Sequence, residues 1–581
     1  MDHPSSPNTA RRPLTRRLAI IVPVALAVPL IAAIGGAAAS PATPAAPAAQ
    51  AAPAAQAAQA AHATSAAAVS GQATAPTIDW AISGQASATS SESANPAANA
   101  IDGDAGIDWC TDSWTGSLTV DLGQVRSLSD LGITLDAASP SADATIEMAS
   151  QAGDWQPVPA ARNLALDPGN PMYIPLPRGT SARYAQLTVY SDTGADVCVG
   201  EFRTFGPDPA AANMDLGADL SFTPQELAAG ATFTDRGRAA SPVTIMRDNG
   251  ANYVRMRLWV DPPPGYNELA SDLALARAVH AAGMKIYLDI MYSDFWADPT
   301  KQNIPAAWAG QDLAQLTATV RSYTQQVISA FAGQGTPVDM VSIGNEIRNG
   351  ILWPVGEVDP TTGAGYDNLA TLLKAGVAGA RAANPPGHKL LIMMHYDQGG
   401  DNQLSQAFYQ NLVSRGVPFD VIGLSYYPFF HGPLADMRAN VDALANDYGK
   451  PIVIAESQYP WTLANGDSTG NFVWQSSQVS DGYPATPAGQ LSFYNDMLSI
   501  LAQVPDGLGQ GVFYWEPEWI PGVGWEPGAG SPNDNLTLFS FTGQALPSVG
   551  LFQNPVAVCA RYDPSAVPCE VPDGATTAMN W

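Results

Sequence analysis

Two stretches of this chain end an apolar, β-branched run on a glutamate: Val341-Ser342-Ile343-Gly344-Asn345-Glu346-Ile347 and Ile452-Val453-Ile454-Ala455-Glu456-Ser457. Such runs read as buried parallel strands, and a carboxylate at the carboxyl end of one is where a barrel of eight βα units keeps its chemistry. The two glutamates lie 110 residues apart, room for three βα units in a barrel of about 250 to 400 residues. Two carboxyls facing one another across a barrel mouth suit glycosidic-bond cleavage. One protonates the leaving oxygen, and the other attacks the anomeric carbon or activates a water. In the retaining variant they stand about 5–5.5 Å apart, and like-charge proximity raises the pKa of the acid. Asn345 is placed to hold a sugar's 2-hydroxyl. Either glutamate alone could be a solvated loop residue; the pair at this spacing favours chemistry.

Eight strand-like runs can supply the frame: 214–221, 253–259, 285–292, 340–346, 390–396, 421–427, 452–459 and 511–516. Amphipathic helical patterns separate several of them, as at 272–282 and 313–331, and Asn249-Gly250, Ala282-Gly283 and Pro337 punctuate helix-to-strand passages. The expected class is α/β, a (β/α)8 TIM barrel over 214–553. A doubly wound sheet would need a Gly-rich phosphate turn after its first strand, and none is present. Ahead of the barrel, 77–206 changes to short alternating strands with turn residues between, an all-β sandwich.

At 581 residues more than one domain is expected. The net charge of −27 argues against nucleic acid, anionic membranes and polyanionic substrates, and a neutral polysaccharide is the easier partner. Residues 1–39 read as an export signal: Arg11-Arg12 and Arg16-Arg17, an apolar run from Leu18 to Ile34 broken by Pro23 and Pro29, then a small-residue site. The secreted, extracellular reading follows, with the twin-arginine route open. An Ala/Pro-rich linker is expected over 40–76 and an appendage to the barrel over 554–581. Four cysteines without a Cys-x-x-Cys argue against zinc or iron–sulfur and fall as two candidate disulfides, Cys110/Cys198 and Cys559/Cys569. A monomer is the default.

The segments Gly217-Ala-Asp-Leu-Ser221, Tyr253-Val-Arg-Met-Arg-Leu-Trp259, Tyr292-Ser-Asp-Phe-Trp-Ala-Asp-Pro299, Ile343-Gly-Asn-Glu-Ile347, Gly423-Leu-Ser-Tyr-Tyr-Pro428, Glu456-Ser-Gln-Tyr-Pro-Trp461 and Tyr514-Trp-Glu-Pro517 together resemble glycoside hydrolase family 53, the arabinogalactan endo-β-1,4-galactanases, retaining enzymes of clan A. The landmarks Ala100-Ile-Asp-Gly103, Trp109, Leu118 through Gly123, Trp155, Arg183-Tyr184 and Glu201-Phe-Arg-Thr-Phe205 resemble the discoidin (factor 5/8 type C) jelly roll, which implies glycan binding. The first resemblance implies Glu346 as acid/base, Glu456 as nucleophile and Arg257 as the cation that orients and keeps Glu456 ionised. It also implies a cleft lined by Asp294, Trp296, Trp308, Tyr426, Tyr427, Trp461 and Trp515. His395 is expected to line the cleft as well; neither it nor His431 has metal-ligand spacing.

Two positions depart from the family pattern, Val260 where it has Asn and Met291 where it has His. Both put apolar groups where polar ones are expected, so the reaction class survives and strict galactan specificity is open. No cofactor is required for this chemistry. Asn465, Asp467, Thr469 and Asn471 alternate with the spacing of a calcium loop, and the resemblance adds ligands near Ser531 and Asp534. With so few acids, a metal-free polar turn stays an equal reading. The alternatives to a galactanase are another clan A endo-β-glycanase with altered specificity and a non-catalytic glycan-binding protein.

Overall fold

The computed structural model describes residues 77–552, except 209–210, 263–264, 360 and 526–527, together with Cys569–Glu570. The export signal, the linker and Cys559 lie outside the described residues. Among the described residues no helix is long and apolar enough to cross a membrane.

Eight parallel strands close into a barrel: β1 (Asp215–Asp219), β2 (Tyr253–Leu258), β3 (Lys285–Ile290), β4 (Met340–Ile343), β5 (Leu391–Tyr396), β6 (Val421–Ser425), β7 (Ile452–Ser457) and β8 (Gly509–Tyr514). The expected α/β barrel is therefore present. Almost every residue of these strands is buried, as parallel strands covered on both faces must be. Tyr253, Tyr287, Met340, Met393, Val421, Val453 and Phe513 pack against one another as a separate core. It fills the barrel interior, so residues further along each strand meet a floor rather than a pore.

The preceding segment is the expected sandwich. One sheet has the order 85–88, 115–127, 181–191, 142–149, 156–166. The other contains 77–79, 198–207, 130–135 and 172–175. Strict alternation of buried and part-exposed residues along Thr115–Asp121 places Leu118 and Val120 in the core between the sheets. Cys110 and Cys198 are disulfide-bonded across an antiparallel pair. Cys569–Glu570 pairs with Tyr173 and Met172, so this part of the tail extends the sandwich sheet; the expectation of an appendage to the barrel is corrected. An edge strand offers unpaired amides, and two tail residues satisfy them.

The sandwich is docked on the barrel through the helix Pro487–Ala502, whose residues are nearly all buried. Arg203 of the sandwich donates Nε and Nη2 to the two carboxylate oxygens of Asp496, both at 2.6 Å. Tyr483 donates to Asp496 at 2.8 Å, Asn495 to the Tyr173 hydroxyl at 3.2 Å, and Gln503 to the Asp79 carbonyl at 2.8 Å.

Candidate active site

The two-residue period of a strand sends every second side chain into the barrel. On β2 that sequence is Tyr253, Arg255, Arg257, so a buried tyrosine floor is followed by two cations. The chain leaves β4 through Gly344 (φ 94°), and Glu346 itself sits in the left-handed region (φ 47°, ψ 55°). A non-glycine residue there costs on the order of 1–3 kcal/mol, held by the surrounding packing, and such residues cluster at functional sites. Glu456 lies inside β7 at a shift in register against β6, paired with Ser425. Such a bulge re-aims a side chain, and here Glu456 and its neighbour Ala455, packed in the barrel floor, both reach inward.

Glu346, His395 and Glu456 bring one oxygen or nitrogen each to within 4.8 Å of one another. Glu456 is clamped on both oxygens. Arg255 Nη2 lies 2.6 Å from Oε1, and the Tyr427 hydroxyl donates to Oε2 at 2.8 Å. Arg255 is completely buried and also donates to Asp219, to Asp289 at 2.9 Å and to Asn345 Oδ1 at 3.0 Å. Glu346 has no cation partner among the described residues; its Oε1 accepts from Ser425 Oγ at 2.7 Å.

Burial raises the pKa of both glutamates, with different counterweights. At Glu346 the Glu456 carboxylate adds to the rise and only Ser425 among its main neighbours opposes it. At Glu456 the Arg255 guanidinium and the Tyr427 hydroxyl pull downward. The pair therefore takes its first proton on Glu346 and keeps its charge on Glu456. Burial and the two glutamates push the Tyr427 hydroxyl well up, so it remains a donor. The same buried Arg255 opposes a cation among Glu346, His395 and Glu456, since it holds a fixed positive charge 2.6 Å from Glu456 Oε1.

The model of glycosyl hydrolase family 53 matches residues 215–552, the whole of this barrel. The chain belongs to glycosyl hydrolase family 53. It is a glycoside hydrolase. A factor 5/8 type C model matches residues 85–201. An uncharacterized protein of Niallia circulans is 40% identical over 339 residues, covering 57% of this chain and 92% of its own length. A protein of Neosartorya fischeri bearing the name probable arabinogalactan endo-β-1,4-galactanase A is 37% identical over 345 residues, covering 58% and 92%. The solved family 53 catalytic domain of Ignisphaera aggregans superposes with a TM-score of 0.56 at 34% identity, over 60% of this chain and 97% of that one.

Within this family 53 site, the contact expected of Arg257 is made by Arg255. Arg257 instead bonds Glu516, beyond β8, and lies over the rings of Phe222 at 4.4 Å and Trp296 at 4.3 Å. Both arginines point inward, and the register of Glu456 selects the one nearer the floor. Of the adjacent tyrosines only Tyr427 faces the glutamates. Tyr426 turns outward, donates to the Gly432 carbonyl at 2.8 Å and stacks on Phe493, as alternation requires. Trp296 and Trp515 sit 6.1 Å apart in one aromatic group with Trp519 and Trp525. Trp308 packs on Tyr323 at 5.3 Å, and Asp294 accepts from the Asp261 and Ala306 amides; both shape the loop after β3 and do not reach the glutamates' polar contacts. Trp461 packs on Phe541 at 4.9 Å and donates to the Asp534 carbonyl. Asn345 donates to the Ala297 carbonyl at 2.8 Å, leaving its second amide hydrogen for a substrate. Met291 is buried, and its sulfur accepts from Trp259 Nε1 at 3.0 Å, so it keeps a weak polar function despite being apolar in kind. Half-buried Val260 packs against the main core.

The oxygens of the calcium-like loop are divided between backbone amides and unpartnered acceptors. Asp467 Oδ1 accepts from the Thr469 amide at 2.7 Å, and Oδ2 from those of Ser531 at 2.8 Å and Gly522 at 3.3 Å. Asn465 Oδ1 accepts from the Asp467 amide, Asp534 Oδ2 from that of Gly466 and Ser531 Oγ donates to the Trp519 carbonyl. Asn471 donates to the Ala464 carbonyl. N–H dipoles thus aim at several of these oxygens, while Asn471 Oδ1 and Asp534 Oδ1 are buried acceptors that no donor among the described residues meets; calcium takes about six to eight oxygens.

Proposed function

We propose that this chain is a secreted, retaining endo-β-1,4-galactanase acting on (arabino)galactan of plant cell-wall pectin, with Glu346 as acid/base and Glu456 as nucleophile. One observation carries the reading: two strand-end carboxyls that bring an oxygen each to within 4.8 Å, one clamped by a guanidinium and a phenol and the other without a cation partner among the described residues. A closest approach of this size is nearer the about 5–5.5 Å between the carboxyls of a retaining pair than the about 6.5–9.5 Å of an inverting one. Glu346 gives its proton to the leaving oxygen while Glu456 Oε attacks the anomeric carbon, breaking the glycosidic bond and forming a glycosyl ester. Glu346, now ionised, takes a proton from water as the water attacks the anomeric carbon, and the bond from that carbon to Glu456 Oε breaks to release the carboxylate. Asn345 holds the 2-hydroxyl, and Trp296 and Trp515 offer ring faces to the sugars. Residues 1–39 direct export, 40–76 link, 77–206 hold the enzyme to polysaccharide, and 214–553 cut it. The galactan reading draws on relatives named for that activity. Met291 and Val260 favour, as the second reading, a clan A glycanase of shifted specificity.

Reducing-end release from linear β-1,4-galactan, beside arabinan, mannan and xylan, tests this with Glu456→Ala as control. Release from galactan alone, lost in the variant, is expected. Release from another glycan only would replace the substrate, and release from none would favour a glycan-binding protein.

A further inference from the structure

Oε1 of Glu346 is held by a chain of two side chains that the double displacement leaves without a role. Ser425, last residue of β6, donates Oγ–H to Glu346 Oε1 at 2.7 Å, and its oxygen lies 2.9 Å from His395 Nε2 on β5. His395 is completely buried, and its Nδ1 has no hydrogen-bond partner among the described residues. A serine hydroxyl has one hydrogen. With that hydrogen on Glu346, the imidazole must donate from Nε2 and leave Nδ1 bare. The opposite tautomer would bury an unpaired N–H, which costs more than a bare acceptor. Burial and the Arg255 guanidinium keep the imidazole neutral, so its direction of donation does not change with pH.

We infer that His395 and Ser425 are positioning residues that reserve Oε1 of Glu346 as a hydrogen-bond acceptor, so that the transferable proton rides on Oε2. The inference rests on the role proposed for Glu346. Like charges face that carboxyl from Glu456 on β7, Asp397 after β5 and Asp298 after β3; Arg255 pairs with Glu456 and Arg348 with Asp397. Ser425 is thus the neutral donor that stabilises ionised Glu346 after it has given up its proton, and fixes which lone pair takes one back.

The test compares wild type, Ser425→Ala, Ser425→Thr and His395→Gln on linear galactan and on a 2,4-dinitrophenyl β-1,4-galactobioside, whose leaving group departs without acid help. For Ser425→Ala we expect kcat on galactan to fall about 10- to 100-fold with KM within about threefold. The dinitrophenyl glycoside should be cleaved at nearly the wild-type glycosylation rate, and the basic limb of kcat/KM should move to higher pH. Ser425→Thr should restore most of the loss. Equal losses on both substrates with an unmoved pH profile would overturn the inference, marking Ser425 as structural only. Imidazole 15N shifts, assigned by His395→Gln among six histidines, judge the relay without turnover. A neutral Nε2–H tautomer from about pH 5 to 8 supports it, and an Nδ1–H tautomer or a titration in that range overturns it. Wild type inactive on both substrates would sink the proposed function, and the 15N shifts would still decide the relay.

Discussion

Two wholly buried arginines in this chain meet carboxylates in opposite ways. At the seam between sandwich and barrel, Arg203 gives Nε and Nη2 to one carboxylate, Asp496, which is capped in turn by Tyr483, and Nη1 to the Thr134 hydroxyl. At the barrel mouth, Arg255 divides its donors among Asp219, Asp289, Glu456 and Asn345. A one-to-one bidentate pair is saturated and can only hold geometry. A cation shared among several acids leaves each partly compensated, so one of them can gain and lose charge while the cluster stays in place. The seam pair suits a static role, and the mouth suits a carboxylate whose charge changes, as the proposed mechanism requires of Glu456.

Removing each arginine breaks the comparison in a different observable. Arg255→Met should lower kcat on galactan by about 10²–10³-fold, the scale of one preorganised electrostatic partner, and should raise the apparent pKa of Glu456. Assays across pH read both effects. Arg203→Met should leave kcat near wild type and cost about 3–5 kcal/mol of stability, because it strands the buried Asp496 carboxylate. Denaturant midpoints measure this, and the pair Arg203→Met with Asp496→Leu should recover much of the loss.

How much of this was legible in the sequence differs between the two arginines. The barrel strands announce themselves as β-branched runs, and both glutamates stand at strand ends with Gly-Asn or Ala before them. Alternation also shows that Arg255 and Arg257 share a face. It does not show which one meets Glu456, because the shift in register between β6 and β7 is a three-dimensional event with no residue signature. Tyr426 and Tyr427 were separable in principle, since adjacent strand residues must point to opposite faces. Ser425 lay inside a segment already singled out, but a lone serine carries no sign of its partner on the neighbouring strand. The Arg203–Asp496 pair spans 293 positions, and a buried charge whose partner sits in another domain looks like any other charge. The calcium loop shows the reverse: oxygen spacing was readable, while the amides that occupy those oxygens depend on how 519–531 folds back.

Smaller effects sharpen the seam side of the comparison. Burial raises Asp79 and Asp102 to about 7, above the ordinary value near about 4 that both regain on unfolding. The folded seam then holds protons that the unfolded chain has released, so stability is greatest near about pH 4 and declines toward about pH 7, by up to about 1.4 kcal/mol per pH unit per group. Asp79→Asn, whose amide oxygen can still accept from Ala81 and Thr204, should flatten that slope in unfolding free energies measured across the range. The smallest effect concerns the loop at 465–471. EDTA should leave the unfolding temperature within about 1 °C, since a chelator destabilises only through a metal the folded state holds.

The central claim is that Glu346 and Glu456 act as a retaining pair, and the anomeric configuration of the first product tests it most directly. Proton NMR of galactan hydrolysis, recorded before mutarotation, should show the β-anomer accumulating first. An α-anomer appearing first would mean that water attacks directly and that Glu456 is not a nucleophile.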